Sequence, residues 1–125
     1  MGVSLAHIYI RMYKIYVSPK GSFLAEFELY LLLAIERAGG ESYGAAIRRE
    51  IQTRTGRPVS IGAVYATLGR LEDKKLVTHA VSEPTPVPGG RARKYFSLTA
   101  AGRRALEHST RMLMRMIDGT GLLPN

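Results

Sequence analysis

The stretch Glu83 to Gly90 contains Pro84, Pro86, Pro88, Gly89 and Gly90. Neither a helix nor a central strand tolerates that density of proline and glycine, so the stretch is a loop. On either side lie Leu76 to Ser82 and Arg91 to Leu98, both strand-like in composition. Two such runs around one loop make a β-hairpin with a long tip. If Phe96 and Leu98 face inward, then Arg91, Arg93, Tyr95 and Ser97 alternate onto the other face, and Lys94 points with the inward set.

The segments before this hairpin have helical period. From Leu24 to Arg37, Phe27, Tyr30 or Leu31, Ala34 and Ile35 recur at three-to-four spacing until Ala38-Gly39-Gly40 stops the pattern. Leu31, Leu32 and Leu33 make this helix apolar on more than one face, as a central core helix is. Ser42 is expected to open a second helix carrying Ala45, Ala46, Ile47 and Ile51, with Arg48, Arg49 and Arg54 projecting outward. Gly56 and Pro58 end it. Ser60 is a natural N-cap for a third helix whose buried stripe is expected to be Ile61, Val64 or Tyr65, Leu68 and Leu71. After the hairpin, Thr99 caps a last helix from Ala100 to about Asp118, with an apolar seam of Leu106, Ser109, Met112 or Leu113, and Met116 or Ile117.

The order is thus three helices, a hairpin and a long helix. The expected fold class is mainly α with a small β-hairpin, a winged helix-turn-helix plus a C-terminal dimerisation helix. Four parts follow: residues 1–22 as an N-terminal arm, 23–98 as the winged helix-turn-helix, 99–118 as the dimerisation helix and 119–125 as a tail. The first twenty residues fit either a strand or a helical stripe of Leu5, Ile8, Met12 and Ile15. They suit a dimer arm, a DNA-contacting arm or an over-long start.

Charge narrows the function. Lys and Arg number 18 against 10 Asp and Glu, a net +8 on 125 residues, which favours a polyanionic partner. Residues 89–106 carry Arg91, Arg93, Lys94, Arg103 and Arg104 with no acid, and Arg11, Lys14 and Lys20 are also unopposed in the first twenty residues. The chain has no cysteine, which excludes disulfides, thiol catalysis and cysteine-ligated zinc and fits a reducing cytoplasm. His7, His79 and His108 are scattered, and no paired carboxylates or phosphate loop appear, so the expectation is no enzyme, no metal and no cofactor. No apolar run reaches the roughly 20 residues of a membrane helix.

Four stretches carry a family resemblance: Phe27 to Ala34, Ser42 to Glu50, Val59 to Glu72 and Gly89 to Gly102. Their order and spacing resemble the PadR family of bacterial transcriptional regulators, in its subfamily with a short C-terminal region. The resemblance implies a homodimeric winged-helix repressor whose last helix builds the dimer interface. Two positions depart from the family pattern. Lys75 stands where a Gly is usual, so it either adopts a positive φ or the helix cap differs. Gly69 stands where a polar residue is usual.

On this reading the third helix enters the major groove of double-stranded DNA with Ser60, Gly62, Ala63, Tyr65, Ala66 and Arg70, its small residues allowing close approach to base edges. Tyr65 has the alternative of packing in the core. Arg91, Arg93 and Tyr95 form the wing, where they reach phosphates or a narrow minor groove. Arg48, Arg49 and Lys94 are weaker backbone contacts. Leu106, Met112, Leu113, Met116 and Ile117 join two copies, and the methionines among them suit either plain dimer packing or a small-molecule effector. An interaction module for protein or RNA is the alternative function.

Overall fold

In the computed structural model, residues 24–84 and 92–123 are described. The expectations for the N-terminal arm, the tip of the wing and Arg91 lie outside them. The chain runs α1 (Glu26–Arg37), β1 (Glu41–Tyr43), α2 (Gly44–Thr55), α3 (Ile61–Asp73), β2 (Val77–Val81), β3 (Lys94–Leu98) and α4 (Ala100–Ile117). The three strands form one antiparallel sheet in the order β1-β3-β2.

The expected hairpin is therefore two strands of a three-stranded sheet. Gly39 and Gly40 both adopt positive φ, which lets the chain leave α1 in extended form instead of passing straight into the next helix. Ser42 consequently does not cap α2. It is buried in β1, opposite Phe96, and α2 starts two residues later at Gly44. The other caps follow their chemistry. Ser60 Oγ accepts from the Ala63 amide at 3.1 Å, Thr99 Oγ1 accepts from the Gly102 amide at 2.9 Å, and Gly56 ends α2 with a left-handed φ of 71°.

The core gathers Leu31, Leu32 and Ile35 of α1, Ile47 and Ile51 of α2, and Val64, Leu68 and Leu71 of α3. Val77 and Phe96 of the sheet and Ala105 and Leu106 of α4 close it. Two placements differ from the sequence reading. Ile61 is not in the buried stripe of α3 but 42% exposed, because it is the first residue of the helix and its side chain lies beyond the edge of the core. Leu106, expected in a seam between copies, is already covered by its own chain. It is 5% exposed and packs within this chain's own core, because α4 lies against α1 and the sheet over its first two turns.

A junction after α3 sets the helix's direction. The helix ends in a Schellman turn: Leu76 N donates to Leu71 O and Lys75 N to Glu72 O, both at 2.9 Å. Lys75 takes the left-handed position with φ 61°, so of the two alternatives the chain adopts the strained one. The Leu76 carbonyl then meets α4 so closely that a Cβ on Gly102 would lie 1.9 Å from it.

Two substitutions at this junction should move stability in opposite directions. Lys75→Gly should stabilise by about 1 kcal/mol, the cost of a left-handed backbone for a residue with a Cβ. Gly102→Ala should destabilise by about 3 kcal/mol, because the added methyl meets backbone. Chemical denaturation of both variants checks the pair, and a Lys75→Gly midpoint at or below the parent's would mean the turn stores no strain.

Candidate nucleic-acid interface

The N-terminal part of α3 is uncovered. Ile61, Gly62, Ala63, Tyr65, Ala66, Gly69 and Arg70 are all exposed, while Val64, Thr67, Leu68 and Leu71 face the core. Ser60, also exposed, presents its hydroxyl at the head of this face. The side chain of Tyr65, 45% exposed, belongs to the surface rather than the core, and its ring meets Phe96 edge-on at 6.4 Å. Its ring tip lies over the bare Cα of Gly44, where a Cβ would approach Tyr65 Cζ to 2.6 Å. Gly44 is thus the space that lets Tyr65 lie across the start of α2.

Next to Gly44 in sequence, Tyr43 begins a tyrosine–arginine cluster that spans the sheet and α2. The Arg93 guanidinium lies 4.4 Å over the ring of Tyr43, and Arg49 Nη2 donates to the Tyr43 hydroxyl at 3.2 Å. Tyr95 is the register partner of Tyr43 and packs on it edge-to-face at 5.6 Å. Arg49 and the wing residues Arg93 and Tyr95 are brought together by Tyr43, which the sequence reading did not single out. Its signal was an aromatic directly before the small residue that opens α2, Gly44. The hydrogen bond from Arg49, then that from Arg93, hold the Tyr43 phenol below the ordinary tyrosine range.

The remaining basic candidates have structural partners. Arg48 Nε donates to Val59 O at 2.7 Å and so braces the turn leading into α3. Arg70 Nη2 donates to Thr67 Oγ1 at 2.8 Å. Lys94 Nζ lies 5.4 Å from the centre of the Phe96 ring, on the opposite side of β3 from Tyr95. Among the described residues, none of Arg48, Arg49, Arg70 and Arg93 has a carboxylate within 4.0 Å. Elsewhere five cations are paired: Arg37 and Arg54 with Glu50, Arg57 with Glu26, Lys74 with Glu28 and Arg103 with Glu36. His79 joins Glu72 across the α3–β2 junction, its Nδ1 lying 3.1 Å from Oε2. Among the described residues no three His, Asp or Glu side chains group as a metal site, and no helix is long and apolar enough to cross a membrane.

The distal half of α4 is also uncovered. Leu113 is 50% and Met116 79% exposed, and Met114 is exposed beside them. Met112 and Ile117 are half-buried.

A family model of the PadR-like transcriptional regulators matches residues 31–108, from the core of α1 into α4. The chain belongs to the PadR-like family of transcriptional regulators. One relative is the transcriptional regulator Rv3488 of Mycobacterium tuberculosis, 43% identical over 76 residues, which are 61% of this chain and 66% of that protein. The crystal structure of a PadR family transcription regulator from Clostridium difficile R20291 superposes with a TM-score of 0.63 at 25% identity, covering 75% of this chain and 96% of that one. Bacillus subtilis PadR in complex with operator DNA shares the fold, with a TM-score of 0.59 at 18% identity over 70% of this chain and 48% of that one. Membership of the PadR-like family agrees with the resemblance read from the motifs, and the fold is the expected winged helix.

Two measurements test this geometry. Gly44→Ala should leave unfolding within about 0.5 kcal/mol, since alanine suits a helix start, yet push the Tyr65 ring aside. Near-ultraviolet circular dichroism reads the ring, and an unchanged spectrum would mean that Tyr65 does not need the gap. A phenolate absorbance titration should show a tyrosine ionising below the ordinary value, and Tyr43→Phe should remove it. Because the folded state favours the phenolate, the stabilisation from Tyr43 is complete above the unfolded pKa and disappears as pH falls through the folded one.

Proposed function

We propose that this chain is a sequence-specific, double-stranded-DNA-binding transcriptional regulator, a cytoplasmic repressor that acts as a homodimer on an inverted-repeat operator. The observation that carries this reading is the exposed, small-residue face of α3, linked through the contact of Tyr65 with Gly44 to the acid-free cluster of Tyr43, Arg49, Arg93 and Tyr95. A helix so bare fits into the major groove, and the cluster linked to it offers cations to the flanking phosphates. Ser60, Gly62, Ala63, Tyr65, Ala66 and Arg70 form the readout helix. Arg48 and Lys94 support the frame around it, while Arg91 would extend the wing.

The dimer reading rests on Leu113, Met114 and Met116, apolar side chains that α4 leaves uncovered beyond the core. Met112 and Ile117 complete that surface, and Leu106 drops out of it. Release by a small-molecule effector belongs to the same reading, with the flexible methionines as the surface that adapts to it. A module for protein or RNA would select no inverted repeat from duplex DNA.

Ala63→Glu separates folding from binding. Position 63 is exposed, and a Glu three residues after the Ser60 cap completes a capping box, so stability should hold or rise. Affinity for duplex DNA should fall by about 2 kcal/mol or more, roughly thirtyfold, because a carboxylate then meets phosphates and base edges. A denaturation curve and an anisotropy titration on the same variant decide it, and normal binding would take α3 out of the groove. In the same assay, replacing Arg49 and Arg93 by Ala should reduce the slope of log K against log salt by about one unit per lost phosphate contact.

The pair Leu113→Glu and Met116→Glu should convert the protein to monomer in sedimentation while leaving the core intact. A dimer that survives both would place the assembly surface elsewhere.

A further inference from the structure

We propose that α3 reads its operator mainly through the 5-methyl groups of thymine, so that the half-sites are thymine-bearing at the positions facing Ile61, Ala63 and Ala66. The inference rests on the duplex-DNA reading above and specifies what that interface recognises.

Base readout by hydrogen bonds needs long polar side chains: Arg or Lys for guanine, Asn or Gln for adenine, Asp or Glu for cytosine. From Ile61 to Gly69 the exposed positions are Ile61, Gly62, Ala63, Tyr65, Ala66 and Gly69, and none is of those types. The polar groups at the two ends of this run are tied to the helix itself. Ser60 Oγ accepts from the Ala63 amide, which leaves one short O–H to donate, and Arg70 Nη2 is turned back onto Thr67. Tyr65 brings a hydroxyl, but its ring tip lies over Gly44, at the border with α2. Tyr65 apart, the outward chemistry of the first two turns is therefore methyl and methylene. In the major groove the matching apolar feature is the thymine methyl.

Ile61 is the second reason. A β-branched apolar side chain, 42% exposed at the first position of a helix, adds little to this chain's own core. The glycines are the third. A Cβ at Gly62 or Gly69 would meet nothing within 4 Å, and neither position has a positive φ. Each costs the helix about 1 kcal/mol relative to alanine. The fold asks for neither, whereas a backbone lying close to the floor of a groove asks for both. Close approach is also what short side chains need to touch a methyl group.

The experiment uses the intact protein and the duplex it enriches from random DNA. That duplex is synthesised with thymine and again with deoxyuridine, which removes only the 5-methyl groups. Affinity should fall about fourfold for each methyl sealed against the helix, hence about fifteenfold when each half-site loses one. Single deoxyuridines should locate the sensitive positions, at matching places in both half-sites. The Ile61→Ala variant should bind the thymine duplex more weakly and show a smaller thymine-to-deoxyuridine ratio. Equal affinity of the unaltered protein for the two duplexes overturns the inference. So does a ratio that Ile61→Ala leaves unchanged, since the uracil effect would then come from DNA shape. Failure to enrich any duplex would instead defeat the proposed function itself.

Discussion

The turn from Lys74 to Leu76 fixes the relation between α3, the helix proposed to read DNA, and everything else. Thr99 N donates to Leu76 O at 3.1 Å, and Thr99 Oγ1 donates to Lys75 O at 2.7 Å, so the start of α4 is bonded to the end of α3. Gly102 admits the Leu76 carbonyl where any side chain would collide. Two residues before Leu76, Lys74 Nζ bridges both carboxylate oxygens of Glu28, at 2.9 and 3.2 Å. Glu28 is 4% exposed and also accepts from the Ala25 amide at 2.9 Å, so its buried charge has partners on two sides. Within three residues α3 is thus tied to the start of α1, to α4 and to β2. The strain at Lys75 is the cost of turning the chain sharply enough for all three contacts.

Charge is distributed to match. On the α1–α2 side the arginines meet carboxylates, and Glu50, shared by Arg54 and Arg37, is held below its ordinary pKa by the hydrogen bonds from those two. Exposed pairs of this kind add little stability, but they neutralise the surface they occupy. At the wing base Arg93 rests on the Tyr43 ring and Arg49 donates to its hydroxyl instead. A guanidinium on an aromatic face is oriented without being neutralised, so its charge stays available to an anion.

Much of this was legible in the sequence because local chemistry decided it. Ser60, Gly56 and Thr99 act as caps whatever surrounds them, and the proline-rich stretch could separate only two strands. The misplacements have one common source: periodicity finds an apolar face but not where the core ends along it. Ile61 and Leu106 sit at opposite edges of that uncertainty, the former one turn too early for the core and the latter one turn inside it. Three-residue β1 is too short to show a period, and Ser42 looked like a helix cap because two glycines hid the extended segment before α2. The Glu28–Lys74 pair joins residues 46 positions apart, a separation at which a single sequence carries no pairing signal. Tyr43 was missed for a related reason, since its role is to bring Arg49 and Arg93 together from two different elements.

The placement of Leu106 changes what α4 does. Its first half, through Leu106, is part of the winged-helix core, and the second half carries the exposed apolar side chains. Met116 lies ten residues beyond Leu106, about 15 Å along the helix axis. Because α4 is one uninterrupted helix from Ala100 to Ile117, that distance is spanned without a hinge. On the dimer reading, the Thr99–Leu76 junction passes the orientation of the distal half directly to the end of α3. The separation of the two recognition helices is then set by how Leu113 and Met116 pack against their counterparts. A ligand that rotated that packing by a few degrees would shift both α3 helices relative to the DNA repeat without touching a residue of the groove surface.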